Sequence, residues 1–193
     1  MIFYLMGKSS SGKDTIFRRL MEDEDLSLET IVSYTTRPIR EGEVEGVEYH
    51  FVKDYEMEEM EKKGLVIEKR TYDTVCGLWN YFTAIDTEVN VKKNNYILIG
   101  TLEAYVKIRD FYGSENVLPI YIQVDDGKRL MRALHREMEQ QNPKYAEMCR
   151  RFLADCEDFS EEKLEEIGIQ KRFNNDDINK CIGEIESYIK ENI

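Results

Sequence analysis

The chain has 193 residues, of which 41% are hydrophobic and 34% charged, and its formal net charge is −12. That length fits one domain with its own core, burying roughly 70% of the surface the unfolded chain would expose. The acidic balance argues against a general nucleic-acid or anionic-membrane binder, although a cleft can still gather cations around a small anionic ligand. The four cysteines (Cys76, Cys149, Cys156, Cys181) form no CxxC pair, and His50 and His135 stand far apart, so neither residue type suggests a metal site. Free thiols, the lack of a bilayer-length apolar run and the lack of a basic leader lead us to expect a cytoplasmic chain, without a membrane partner.

Taken in chain order, "IFYLM" (2–6) predicts a buried strand, and the stretch after Lys13, "TIFRRLMEDE", a helix. "TIVSYT" (30–35) predicts a second strand, residues 37–48 a charged loop, and "YHFV" (49–52) a short strand. "DYEMEEMEKKG" (54–64) has an aspartate in position to cap a helix and a glycine to stop it, and reads as an amphipathic surface helix. Strands follow at 65–72 and 79–83, flanking a turn near Gly77. "YILIG" (96–100) and "VLPIYIQV" (117–124) are apolar without alternation, as strands covered on both faces are, with a helix over 102–113 between them. A long helix is expected from Asp126 to about Gln141, and a second beginning at Asn142–Pro143, with proline at its tolerated first position. "DFSEEKLEEI" reads as a solvated acidic run, residues 169–175 as a last strand and the remainder as a closing helix. Alternating strands and helices with buried strands imply an α/β fold, a mainly parallel sheet with helices on both faces.

The stretch "GKSSSGKDT" (7–15) joins the first strand to the first helix. Glycines there let backbone N–H groups converge on phosphate oxygens, the helix N-terminus adds partial positive charge, and a lysine reaches the β and γ phosphates. Gly7, Gly12 and Lys13 have the spacing of such a cradle, but the Ser or Thr expected next is Asp14, and Thr15 comes one step late. Nucleotide kinases of the adenylate kinase type, which the loop resembles locally, often carry "GKGT", so the hydroxyl is dispensable there. The other reading of Asp14 is contact with Mg²⁺, directly or through water, because a carboxylate beside phosphates needs a cation between them.

Residues 31–52, "IVSYTTRPIREGEVEGVEYHFV", closely resemble the GMP-binding segment of guanylate kinases, S-x-T-T-R-x-x-R-x-G-E-x-x-G-x-x-Y-x-F, through Ser33, Thr35, Thr36, Arg37, Arg40, Gly42, Glu43, Gly46, Tyr49 and Phe51. "FNNDDI" (173–178) is similar to that family's adenine-side "VNDD" turn, which brings in Asn175. The resemblance implies a P-loop nucleoside monophosphate kinase, with ATP and Mg²⁺ as cofactors, making GDP from GMP. The loop residues Gly7, Ser9, Ser10, Ser11, Gly12, Lys13, Asp14 and Thr15 would then hold ATP. Arg37, Arg40 and Tyr49 would hold the acceptor phosphate with Glu43 nearby, and Ser33 and Glu68 would read the guanine edge. Two arginines three apart can fork onto phosphate oxygens. A carboxylate accepts from guanine N1–H and its exocyclic amine together, a donor pair that adenine lacks.

The helix "KRLMRALHRE" sets Arg132 and Arg136 four apart on one face, and the family's lids carry two arginines so spaced, followed by a third for which Arg151 is the candidate. A solvated basic helix face is the competing reading. The resemblance thus implies one guanylate kinase-like domain: a core of about 1–32, 95–125 and 168–193, a GMP-binding region of about 33–94 and a helical lid of about 126–167. It leaves monomer and homodimer open. Three departures stand out. Cys76 replaces a tyrosine and Leu78 a hydroxyl residue, while Gly100 and Thr101 stand where an acidic pair is expected. Trp79, Tyr72 and Tyr81 are the candidates to compensate. The departures keep two further expectations open, a weak or inactive guanylate kinase-like binding module and a related kinase with another phosphorylated acceptor.

Overall fold

The computed structural model describes residues 1–40, 42–74 and 77–193, so Cys76 lies outside the described residues. Five parallel strands form the main sheet in the order β2-β7-β1-β8-β9, namely Leu28–Thr30, Asn95–Ile99, Ile2–Met6, Val117–Gln123 and Arg172–Asn174. The buried runs read from the sequence are its three central strands. Strand periodicity of two explains how β1 serves both layers. Ile2, Tyr4 and Met6 pack on the side of α3 (Leu102–Tyr112) and α6 (Glu161–Ile167). Phe3 and Leu5 pack on the side of α1 (Lys13–Glu22) and α7 (Ile178–Lys190). From β1 the chain passes through α1 to β2 at one edge, and from β7 it crosses by α3 to β8 on the other side of β1. Strand order therefore reverses around β1, and the crevice at the carboxyl ends of such strands is where open α/β sheets bind ligands.

A second sheet, β4-β3-β6-β5, is built from His50–Phe51, Tyr34–Thr35, Gly77–Ala84 and Val66–Thr74. One face carries Tyr34, Phe82 and Ala84 against Met57 of α2 (Asp54–Lys62). The opposite face carries Thr35, Glu68, Arg70, Tyr81 and Thr83. In the β5–β6 hairpin Glu68 pairs with Thr83 and Arg70 with Tyr81, and Tyr81 pairs in turn with Thr35 of β3.

Several local expectations change. "TIVSYT" is not one strand: β2 ends at Thr30 in the main sheet, and residues 31–33 carry the chain to β3 in the other. Asp54 is the first residue of α2 rather than its cap, and the cap position falls to Lys53, whose N–H donates to Glu56 Oε2 at 2.7 Å. Helix α4 spans Asp126–Met138, short of Gln141, and α5 spans Tyr145–Asp158, so Pro143 precedes α5 instead of opening it. There the Glu137 carboxylate accepts the Lys144 N–H, fixing the connection before α5. The "DFSEEKLEEI" run contains α6, capped by Ser160, and it buries Phe159 and Leu164 in the α3-side core. Among the described residues, no helix is long and apolar enough to cross a membrane, and Cys149, Cys156 and Cys181 are free.

Candidate active site

The 7–12 turn follows β1 directly. Gly12 has φ 92°, a left-handed conformation that glycine adopts at little cost, and a Cβ there would lie 2.5 Å from Asn175 Nδ2. That same nitrogen donates to the Ser11 carbonyl at 2.7 Å, so the turn after β9 clamps the loop through Asn175, which is itself buried. Lys13, first residue of α1, folds back and donates from Nζ to the carbonyls of Gly7 at 2.6 Å and Lys8 at 3.0 Å. Burial pulls its pKa below the ordinary lysine value, and Asp14 and Asp155 act in the other direction.

A cleft of about 440 Å³ opens here, lined by Ser10, Gly12, Lys13, Asp14, Thr15, Arg132, Arg136 and Asn175, with Asp176 and Ile178. Arg132 Nη2 donates to the Asn175 carbonyl at 3.1 Å and Arg136 Nη2 to Ser10 Oγ at 3.3 Å. The one-face spacing on α4 thus brings both arginines to the loop. Arg151 is elsewhere: on α5, with Arg150, it grips Glu147 at 2.9 Å, and its side chain is 59% exposed. Inward positions of α5 are filled instead by Phe152 and Asp155, which meet a residue the sequence reading passed over.

That residue is Arg129, whose side chain is 1% exposed. Its Nε and Nη2 donate to Asp126 Oδ1 at 3.0 and 2.7 Å, its Nη1 donates to the Ser9 carbonyl at 3.0 Å, and its guanidinium lies 4.6 Å from the Phe152 ring. Asp155 Oδ2 sits 3.7 Å from Nη1 and accepts the Ser9 N–H at 2.8 Å. Both backbone polar groups of Ser9 are therefore held from α4 and α5. The i, i+3 spacing of Asp126 and Arg129 was the sequence signal for this network. Removing one partner of a buried ion pair is costly because it leaves the other uncompensated. Arg129→Met is accordingly expected to lower stability by about 3 kcal/mol in urea unfolding, moderated because Asp126 is half exposed. Asp126→Asn is expected to cost well under half of that.

On the small sheet, Arg37 is 3% exposed and forks onto Glu43, Nη2 to Oε1 at 2.6 Å and Nη1 to Oε2 at 2.7 Å. Its guanidinium carbon lies 5.3 Å from the Tyr49 ring and 5.4 Å from that of Phe51. Arg40 is exposed, and its backbone N–H also donates to Glu43, at 2.8 Å. Glu43 thus orders the Arg37–Arg40 turn around a carboxylate. The hydrogen bond from Arg37 is the main cause that draws the Glu43 pKa from 4.5 to about 2. A carboxyl depressed on folding adds stability above its unfolded pKa, and that contribution fades as pH falls from 4.5 toward 2. Wild type is expected to exceed Glu43→Gln in urea midpoint at neutral pH, with the gap closing through that acid window. A gap that persists unchanged down to about pH 2 would contradict the ion-pair assignment.

Ser33 and Glu68 come together through Thr83, another residue not foreseen. Thr83 Oγ1 donates to Glu68 Oε1 at 2.8 Å, so the 3.3 Å contact between Ser33 and Thr83 has the serine as donor. Tyr81 stacks edge-on with both Tyr49 and Tyr72, at 5.6 Å between centroids, whereas Leu78 is exposed. Gly100 has a packing reason: a Cβ there would collide with the hydroxyl of buried Tyr4, which donates to the Thr101 carbonyl at 3.2 Å. Thr101 caps α3, its Oγ1 accepting the Ala104 N–H at 3.3 Å.

A family model described as guanylate kinase matches residues 2–192. The chain belongs to the guanylate kinase family. Among curated guanylate kinases it is 34% identical to that of Mycoplasma mobile over 127 residues, 64% of this chain and 60% of the relative. It is 48% identical to that of Zymomonas mobilis over 52 residues, 27% of this chain and 24% of the relative. These matches span a quarter to three-fifths of the relatives' length. A crystal structure of guanylate kinase from Anaplasma phagocytophilum superposes with TM-score 0.68 at 21% identity, covering 99% of this chain and 85% of that one. At that identity the likeness establishes the shared P-loop α/β fold. The motif residues of the 7–15 loop thus line a loop-and-helix cleft at the end of β1, while those of the 31–52 segment lie at β3 and β4 and in the loop between them.

Proposed function

We propose that the chain transfers the γ-phosphoryl group of ATP to GMP, giving ADP and GDP. The observation that carries this reading is the single cleft in which the 7–15 loop meets Arg132, Arg136 and Asn175. Family membership supports it. In this reading residues 33–94 form the acceptor region and residues 126–167 a lid over the core.

The acceptor phosphate oxygen is already anionic, so the reaction needs no strong base. The obstacle is bringing two polyanions together, and catalysis consists of alignment and positive charge. Lys13 would exchange its two loop carbonyls for phosphate oxygens, which favour its protonated form and offset the burial that now disfavours it. Arg132 and Arg136 would add charge from the lid side. On the acceptor side the phosphate would lie at Arg37, Arg40 and Tyr49, with Glu43 holding the Arg37 fork in plane. Closing the lid excludes water and limits ATP hydrolysis. Arg151 would join only by leaving Glu147.

Asp14 and Thr15 offer hard oxygen donors beside Lys13, a set that suits Mg²⁺, an ion that keeps several waters and takes phosphate oxygens as its other ligands. Bound there, the ion would neutralise charge on the triphosphate.

Incubating the purified chain with ATP and, separately, GMP, AMP, CMP and UMP, and resolving the products by chromatography, tests the reading. GDP formed from GMP well ahead of the other diphosphates is expected. No transfer to any monophosphate, or a preference for another base, contradicts it.

A further inference from the structure

Arg70 stands on β5 two residues beyond Glu68, and strand alternation sets both side chains on the polar face of the small sheet. The Glu68 side chain is 2% exposed and that of Arg70 15%. The guanidinium forks onto the carboxylate, Nε to Oε2 at 2.9 Å and Nη2 to Oε1 at 3.1 Å, while Nη1 reaches Thr101 Oγ1 at 3.5 Å. This last contact joins the small sheet to the carboxyl end of β7, next to the strand that carries the phosphate loop.

A carboxylate buried this deeply needs a partner, and Arg70 and Thr83 supply it. The pair also has a reading function. A carboxylate alone selects for a pair of donors on a base. A guanidinium held in plane beside it adds donors at a fixed offset, so the two side chains together present an acceptor next to a donor. The Watson–Crick edge of a 6-oxopurine presents the complement, a carbonyl O6 beside N1–H, with the 2-amino group following in guanine. A 6-aminopurine places a donor where O6 would be, facing the guanidinium with no acceptor.

Resting on the GMP-kinase reading above, we propose that Arg70 is a specificity-determining residue, which holds Glu68 in place and donates to the carbonyl O6 of a 6-oxopurine nucleoside monophosphate. The acceptor class it implies is 6-oxopurine, with guanine preferred through its amine at Glu68. A purely structural Arg70 would support Glu68 and be indifferent to O6.

The test compares GMP with 6-thio-GMP, which keeps N1–H and the 2-amino group but replaces the carbonyl oxygen with sulfur, a weak acceptor. In the wild type, kcat/KM is expected to favour GMP by about 10- to 100-fold, the scale of a base-reading hydrogen bond. In Arg70→Gln, both substrates are expected to lose what Arg70 contributes by holding Glu68, and GMP to fall by a further factor of about 10 to 100, bringing the ratio toward one. Arg70→Lys keeps a cation beside Glu68 and makes the same comparison should the glutamine variant fail to fold. An unchanged ratio, with both substrates lowered together, overturns the proposal, as does a gain in GMP activity, which would mark Arg70 as a plug over Glu68. Calorimetric binding of the two monophosphates runs the comparison independently of turnover. Binding without turnover overturns the kinase reading alone, and no GMP binding by the wild type overturns both.

Discussion

Lys13→Met is expected to reduce phosphoryl transfer by about a thousandfold or more, the scale of losing a preorganised charge at a transferring phosphoryl group. The fold should survive, because the native lysine's two hydrogen bonds go to the Gly7 and Lys8 carbonyls beside an open cleft that water can enter. Burying a methionine in place of a desolvated ammonium is close to neutral for stability. The informative pattern is therefore a lost kcat with an unchanged urea midpoint. Activity within tenfold of wild type would mean that the 7–15 turn is not the phosphate cradle.

Arg37→Lys is the second large effect. The charge remains, but the planar fork that meets both Glu43 oxygens is lost, and an ammonium cannot reproduce it. We expect kcat/KM for the monophosphate to fall by about a hundredfold, chiefly through KM, with little change in KM for ATP. Stability should fall as well, since Glu43 loses the partner that holds its carboxyl near pKa 2, and the acid-window behaviour of Glu43 should weaken in the same variant. Equal losses in both KM values would place Arg37 in the core of the fold rather than on the acceptor side.

How much of this was legible beforehand depended on whether the signal was local. The loop at 7–15 and the 31–52 segment carry their chemistry in consecutive residues, and the buried strands Ile2–Met6, Asn95–Ile99 and Val117–Gln123 announce themselves by unbroken apolarity. Helix periodicity puts Arg132 and Arg136 on one face, and the resemblance to guanylate kinase lids is what separates them from a solvated basic stripe. The residues passed over have local partners, Glu68 for Arg70 and Asp126 for Arg129, but their roles depend on further contacts distant in sequence. Arg70 and Thr83 gain meaning only when the hairpin register sets Thr83 opposite Glu68. Arg129 reads as one more lysine-and-arginine position until α5 brings Asp155 and Phe152 against it. Arg151 shows the reverse: the resemblance implies a third lid cation there, and in this structure its side chain pairs with Glu147 while Phe152 and Asp155 face Arg129. The split of "TIVSYT" between two sheets has the same origin, because alternation shows that a segment is extended but not which neighbours it pairs with.

The most direct test of two facing anion sites is equilibrium binding of a bisubstrate compound in which adenosine and guanosine are joined through five phosphates. One molecule per chain should bind, far more tightly than ATP or GMP alone, with the affinity reduced separately by Lys13→Met and by Arg37→Lys. Affinity no better than that of ATP, or insensitive to Arg37→Lys, would contradict the account.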